Sequence, residues 1–467
     1  MSEFLSGSKP LIKKLVETLN ESYKYVSVLG TDTKGKTIRV SKTSINVNDF
    51  WLAERGFVVR IHNGVNYSEY SFNEIHEDNL KAIVEEIETK LNKLSAGISV
   101  NEYKIIEDEE ISGSFLGEVE IDPEKISTEV ILKTLTEIKD AALAYSDSIA
   151  NLNVTYNSIH VSKIFISSKK DLEQSYMLSE GYVNSVARKD GKTKDYYKSF
   201  SGLKGFELVD ELKSVYKEVV DTSIALLQAK NAVPGEYDVI CAPDIAGLIA
   251  HEAFGHGVEM DMFVKDRAKG AQFIDKEVAS KLTTMHDGAA AANHMSSYFF
   301  DDEGTIGTDT VVIEKGVLKA GLADLLSALK LGTTPTGNGK RQSFERKAYA
   351  RMTNTFFETG NDKLVDMIAS IKTGYLLEGL YSGMEDPKNW GIQCIANLGR
   401  EIKDGKLTGN LITPVVMTGY VPDLLKSISM VSDRLELDGA GYCGKGYKEF
   451  VKTSSGGPYI KAKVRLG

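Results

Sequence analysis

Three side chains able to bind a metal or move a proton stand close together in His251-Glu252-Ala253-Phe254-Gly255-His256-Gly257. Neutral imidazole is the commonest side-chain ligand for zinc, and a carboxylate beside a zinc-bound water can take its proton. A hydrolytic metal site is the chemistry these residue types suggest. The spacing is unusual, because the zinc-protease helix H-E-x-x-H carries its histidines at i and i+4. Here they stand at i and i+5. Five residues of regular α-helix turn through roughly 500°, which leaves the two rings about 140° apart and unable to share one tetrahedral ion. Either the helix carries one wide π-type turn, or it ends at Gly255 and His256 leaves from the frayed end. Gly255 and Gly257 permit both, since they lack the side chains that resist unusual backbone angles.

A catalytic zinc keeps three protein ligands and one open position, so a third ligand must come from elsewhere in the chain. The cysteines are Cys241, Cys394 and Cys443. Cys241 follows Tyr237-Asp238-Val239-Ile240 and Cys394 follows Trp390-Gly391-Ile392-Gln393; both runs read as buried strands, where cysteine acts as a small hydrophobe. Cys443 lies in the glycine-rich stretch Gly439 to Gly446, where backbone can approach an ion, and the nearby cation Lys445 would favour a thiolate. His286 and His294 are the alternatives.

Four motifs occur in order: His251-Glu252-x-x-x-His256, Asp301-Asp302-Glu303-Gly304-Thr305, Arg351-Met352-Thr353-Asn354 and Cys443-Gly444-Lys445. Over residues 251 to 445 the chain thereby resembles the TldD/PmbA family of metalloproteases. The N-terminal half carries no diagnostic motif. The resemblance implies a zinc (Zn2+) peptidase with His251, His256 and Cys443 as ligands and Glu252 as the base. It implies the catalytic type, since the PmbA-like members lack the metal motif. It also implies a dimer, either a homodimer or a pair with a PmbA-like paralogue, whose sites face an enclosed chamber that admits small or unfolded peptides.

Arg351 near the metal could grip a substrate carboxylate with two parallel N–H bonds, and Asn354 could bond peptide backbone. Equally, both could hold a loop in place. Asp301, Asp302 and Glu303 cannot converge on one ion without a bend, because adjacent strand residues face opposite ways. A structural or substrate-orienting role is expected for them. A different class of function is a non-catalytic binding or regulatory protein with a structural zinc, in line with the family's historical naming as a gyrase modulator. Glu252 discriminates, being a non-ligand carboxylate that a structural site does not require. A structural site would also normally close with a fourth protein ligand.

The elements that must position these residues follow from pattern. The apolar run Ile245-Ala246-Gly247-Leu248-Ile249-Ala250, opened by Pro243-Asp244, predicts the helix that leads into His251. Upstream, Leu11 to Leu19, Leu80 to Leu94, Ile131 to Tyr145 and Leu208 to Leu226 carry helical periodicity. Strand-like runs stand at Tyr25 to Leu29, Thr37 to Val40, Phe57 to Ile61 and Ile159 to Ile166, with turn signals at Asn63-Gly64 and Asp190-Gly191. Downstream, Val311 to Ile313 and Val317-Leu318 flank Lys315-Gly316, and Ile392 to Ile402 and Leu407 to Ile412 flank Asp404-Gly405. Short helices are expected at Asp324 to Leu331, Lys363 to Ile371 and Pro422 to Met430. The pattern predicts an α+β protein: residues 1–230 an N-terminal mixed α/β domain, residues 231–467 an antiparallel, barrel-like β-rich domain carrying the metal-site helix. The loops Gly332 to Arg346 and Gly270 to Asn293 are candidate lids.

A net charge of −10 argues against a nucleic-acid surface as the main function. No apolar run approaches the ~20 residues that span a bilayer, so no membrane partner is expected. Three cysteines suit a reducing compartment, and the N-terminus lacks a basic segment followed by an apolar one, so a cytoplasmic location is expected.

Overall fold

The structure is a computed structural model that describes residues 1–94, 102–446 and 449–467. One sheet of eight strands is built by β1 (Tyr25–Ser41), β2 (Ile45–Asp49), β3 (Glu54–His62), β4 (Tyr67–Phe72), β5 (Ile111–Leu116), β6 (Ile149–Ser167), β7 (Lys170–Lys189) and β8 (Lys192–Gly202). Its order is β4-β3-β1-β6-β7-β5, with β2 also on β1 and β8 also on β7. All pairings are antiparallel except that of β5 with β7. The runs Tyr25 to Leu29 and Thr37 to Val40 belong to one strand. The polar residues between them stay in register with β6 from Ser27 to Ser41, so ladder pairing carries the strand across a segment with little strand signal of its own. Asn63 turns the β3–β4 hairpin by accepting from the N–H groups of Val65 and Asn66, with Gly64 at φ 101°.

Alternation divides the sheet into two apolar faces. Val26, Val28, Ile38 and Val40 of β1 point to one side, under the helices α1 (Glu3–Asn20), α2 (Glu77–Leu94), α3 (Thr128–Tyr145) and α4 (Val209–Leu226). Leu29, Val58, Ile159, Val161, Phe165 and Leu178 point to the other, where Met295 and Phe300 from the second half of the chain meet them. The sheet is thus a middle layer, covered by helices on one face and by the C-terminal half on the other.

That half is built on a closed barrel of five strands: β9 (Gly235–Cys241), β10 (Thr373–Asp386), β11 (Gly391–Lys403), β12 (Val415–Tyr420) and β13 (Ile460–Leu466). The ring runs β10-β9-β13-β12-β11 and closes through β11 and β10. The expected barrel is present with one departure, since β9 and β10 run parallel. Residues 242 to 372 pass between those two strands and contain the metal-site helix, a crossover that parallel neighbours require. The turns at Lys315-Gly316 and Asp404-Gly405 form as expected, each with both residues at positive φ. The expected lid Gly332 to Arg346 is packed down at its centre, where Asn338, Lys340 and Arg341 are buried and Arg341 reaches Glu69 of β4 at 2.9 Å, and is exposed at both ends. Among the described residues no helix is long and apolar enough to cross a membrane.

Candidate metal centre

The helix α5 (Pro243–Ala250) starts with proline in its first turn and buries Ile245, Leu248 and Ile249. Asp244 does little for its own helix beyond accepting from Ile245 N–H at 2.9 Å. Its other oxygen accepts from Gly379 and Leu380 N–H, both at 2.8 Å, which ties the helix start to β10. The backbone then widens over His251–Gly255 into a π turn, and His256 N–H donates to His251 O. The wider turn resolves the spacing problem, because i→i+5 bonding brings residues five apart onto one face. Gly255 is needed for space rather than for an unusual angle. Its φ is −66°, and a Cβ there would stand 2.0 Å from the Met352 sulfur. Phe254, fully buried, packs on Trp390 and anchors the turn in the core.

The two imidazoles meet edge-on with ring centres 5.2 Å apart. Cys443 comes to them from the hairpin Tyr442–Lys445/Glu449–Lys452. The donor atoms of His251, His256 and Cys443 all lie within 4.8 Å of one another, and Cys443 Sγ is 3.3 Å from His256 Nε2. Ligands of a tetrahedral zinc, at about 2.3 Å for sulfur and 2.0–2.1 Å for nitrogen, stand roughly 3.5 Å apart, which the 3.3 Å spacing of Cys443 and His256 matches. Burial alone would raise the Cys443 thiol, but the imidazoles of His256 and His251 beside it outweigh burial and hold it well below its ordinary value. Lys445 is not the cation responsible. Its ammonium is 3.0 Å from Glu259 and 2.6 Å from Asp261 and donates to Ala350 O, on the far side of His256. Burial opposes charge on His256 too, but the carboxylate of Glu259 and the thiolate hold it well above its ordinary value. A metal would take the place of the proton that these two groups stabilise.

Glu259 is the residue that sequence reading missed. Its Oε2 is 3.1 Å from His256 Nδ1, so it fixes the ring orientation and would leave Nε2 free for a metal. Burial works against its charge, but Lys445, His256 and Arg351 hold its carboxyl down to about 2. Its place three residues after His256 was the available signal. Glu385 of β10 is the second omission. Both its oxygens are buried without a hydrogen-bond partner, and a Cβ on Gly257 would come 3.0 Å from one of them. Burial, with Glu252 and Glu259 adding repulsion, pushes it up to about 9 against the pull of His256.

Glu252 does not join the donor cluster. Its side chain crosses β10 at Gly383, where a Cβ would come 2.7 Å from Glu252 Cγ, and with His251 it lines a cleft of about 980 Å³. Arg351 is buried and donates to the carbonyls of Cys443 at 2.6 Å and Glu449 at 3.3 Å. Asn354, also buried, donates to Gly288 O and Ser297 Oγ and accepts from Ser296 N–H. Both have the contacts of the loop-holding alternative. His286 pairs with Asp309 at 2.8 Å, away from the cluster. His294 lines the cleft wall and is pushed down to about 4 by burial. Cys241 and Cys394 are buried in the barrel core, and burial raises both thiols, Cys241 to about 12. Asp301, Asp302 and Glu303 diverge: Asp301 accepts from Gly339 N–H, Asp302 pairs with Lys163 of β6, and Glu303 pairs with Arg60 of β3 at 2.6 Å. Two of them therefore fasten the C-terminal half to the N-terminal sheet.

The PmbA/TldA metallopeptidase C-terminal domain matches residues 234–465, and the central domain of the same family matches residues 121–227. The chain belongs to the TldD/PmbA metallopeptidase family. Metalloprotease MJ0996 of Methanocaldococcus jannaschii is 29% identical over 362 residues, covering 77% of this chain and 78% of that one. A zinc metalloprotease TldD homologue of Saccharolobus solfataricus is 28% identical over 322 residues, covering 66% and 70%. A metalloprotease TldD homologue of Buchnera aphidicola is 35% identical over 249 residues, covering 52% and 50%. Two crystal structures share the fold across the whole chain. A putative modulator of DNA gyrase from Thermotoga maritima has a TM-score of 0.78 at 18% identity, covering 98% of this chain and 100% of that one. TldE from Thermococcus kodakarensis has a TM-score of 0.75 at 19% identity, with the same coverage.

Proposed function

We propose that this member of the family is a zinc-dependent peptidase that hydrolyses small or unfolded peptides. The observation that carries the reading is the convergence of two imidazoles and one thiolate within 4.8 Å at the edge of a cleft that Glu252 also lines. His251, His256 and Cys443 would hold the ion, which when bound supplies Lewis acidity and lowers the pKa of a coordinated water toward ~7. Glu252 accepts a proton from the attacking water and returns it to the leaving amine. Glu259 holds His256, and Arg351 holds the Cys443 hairpin through its carbonyl. The scaffold reading with a purely structural zinc has less support. Among the described residues no fourth histidine, cysteine or carboxylate joins the cluster, whereas structural sites close with four ligands.

The test is Glu252→Gln, which keeps shape and cannot accept a proton at neutral pH. Zinc content and folding stay near those of the unaltered chain, peptide still binds, and turnover falls by about 10²–10⁴-fold. Cleavage persisting near the original rate with zinc in place refutes Glu252 as the base. Family membership and the cysteine usage further support a cytoplasmic peptidase acting as a homodimer or with a PmbA-like paralogue. Light scattering that gives a monomer at micromolar concentration, alone and with the paralogue, refutes the dimer.

A further inference from the structure

The cleft that leads to His251 and Glu252 is unevenly charged. Seven carboxylates line it against three cations, Lys198, Lys204 and Arg434. Each cation is already taken: Lys198 pairs with Glu218 at 2.6 Å, Lys204 with Glu211, and Arg434 with Glu436 at 2.9 Å. Glu378 is paired outside the cleft, with Arg400 at 2.6 Å. That leaves Asp244, Glu252 and Asp438, which among the described residues form no salt bridge. Asp438 is fixed in the wall by hydrogen bonds from Ser199 Oγ at 2.5 Å, Ser201 Oγ at 3.2 Å and Ala440 N–H at 3.0 Å.

Aromatic rings stand among these carboxylates. Tyr196, Tyr197, Phe200, Tyr381 and Tyr459 all line the cleft. Tyr197 is held by a bond from its hydroxyl to Leu380 O at 2.6 Å. Burial, with Asp438 and Asp244 close by, pushes its phenol up to about 12. Tyr381 is 65% exposed, an uncommon state for so large a ring, and carries no hydrogen bond of its own among the described residues. Aromatic faces beside unpaired carboxylates are the combination that recognises organic cations, by ring quadrupole and by charge together.

We infer that the cleft selects peptides with lysine or arginine side chains near the scissile bond, with Asp438 and Tyr381 as specificity-determining residues. The inference rests on the peptidase reading of this cleft. Neither residue belongs to the metal cage. A glutamate-bearing peptide meets the surplus negative wall, whereas a lysine-bearing one supplies the missing partner and can lay its ammonium against a ring.

Two unstructured peptides of equal length, blocked at both ends and differing only in three lysines against three glutamates, test this at pH 8. At low salt the lysine peptide has kcat/KM about tenfold higher, and the ratio shrinks as ionic strength rises and the Debye length falls. Asp438→Asn and Tyr381→Ala each lower the ratio at least about threefold, as loss of one charge or one cation–π contact should. Should Asp438→Asn fail to fold, Tyr381→Ala stands alone, because its ring is on the surface. Cleavage of the two peptides at equal rates, or a glutamate preference, overturns the inference. Anisotropy of the same peptides on zinc-loaded Glu252→Gln separates this from the peptidase reading. Preferential lysine-peptide binding without cleavage by the unaltered chain refutes the peptidase and keeps the selectivity. Equal binding refutes the selectivity whatever the turnover.

Discussion

Glu259→Gln removes one charge and almost no volume, yet it should disturb both the metal cage and the fold. The carboxylate is 1% exposed and faces three positive or protonated partners: His256 at 3.1 Å, Lys445 at 3.0 Å and Arg351 at 3.7 Å. Glutamine can still accept from His256 Nδ1–H, so ring orientation survives in part. What goes is the charge that balances Lys445 and Arg351 in a buried site. Removing one partner of a buried ion pair costs 3–5 kcal/mol, and here the lower end, about 3 kcal/mol, applies because Asp261 remains 2.6 Å from Lys445. Loss of a carboxylate behind a ligating histidine weakens metal binding about 10- to 100-fold. Zinc affinity is read by competition with a chromophoric chelator, and stability by urea unfolding of the metal-free chain. Affinity within twofold of the unaltered chain, together with an unchanged urea midpoint, would refute the assignment of Glu259 as the group that fixes His256.

Cys443→Ala should abolish stoichiometric zinc binding, measured by metal analysis after gel filtration; full occupancy would reopen the place of His286 and His294. Glu385→Gln should leave stability unchanged or raise it at pH 8, by thermal unfolding. A carboxyl pushed up to about 9 costs the fold most above its unfolded value, and the amide cannot ionise. Glu69 is held down to about 2, with burial opposing and Arg341 and Arg60 prevailing. A depressed carboxylate stabilises the fold above its unfolded value near 4.3, and that contribution is lost as pH falls through about 2. The full shift corresponds to about 3 kcal/mol, nearer 2 because 23% of the side chain remains exposed, so Glu69→Gln should flatten the acid-unfolding curve between pH 4.5 and 2.

Much of this protein was legible in its residues. Periodicity located the four long helices, because an amphipathic helix declares its buried face locally through Leu, Ile and Val at helical spacing. Turn chemistry located the hairpins at Asn63-Gly64, Asp190-Gly191 and Asp404-Gly405, since few residues tolerate positive φ. The two histidines and the glutamate announced a metal site by type. Tertiary structure decided the rest. Whether His251 and His256 could face one ion depended on a π turn held by Phe254 in the core and by the space Gly255 leaves for Met352. Neither contact is local in sequence. The third donor comes from 187 residues away in the chain, on a hairpin fixed by Arg351. Lys445 sits two residues from Cys443, yet its charge serves Glu259 and Asp261, because a side chain's partner is set by direction and burial rather than by proximity in sequence. The parallel pairing of β9 with β10 is a tertiary decision for the same reason: strand direction within a barrel is a property of the closed ring, and the residues of either strand read the same in both directions.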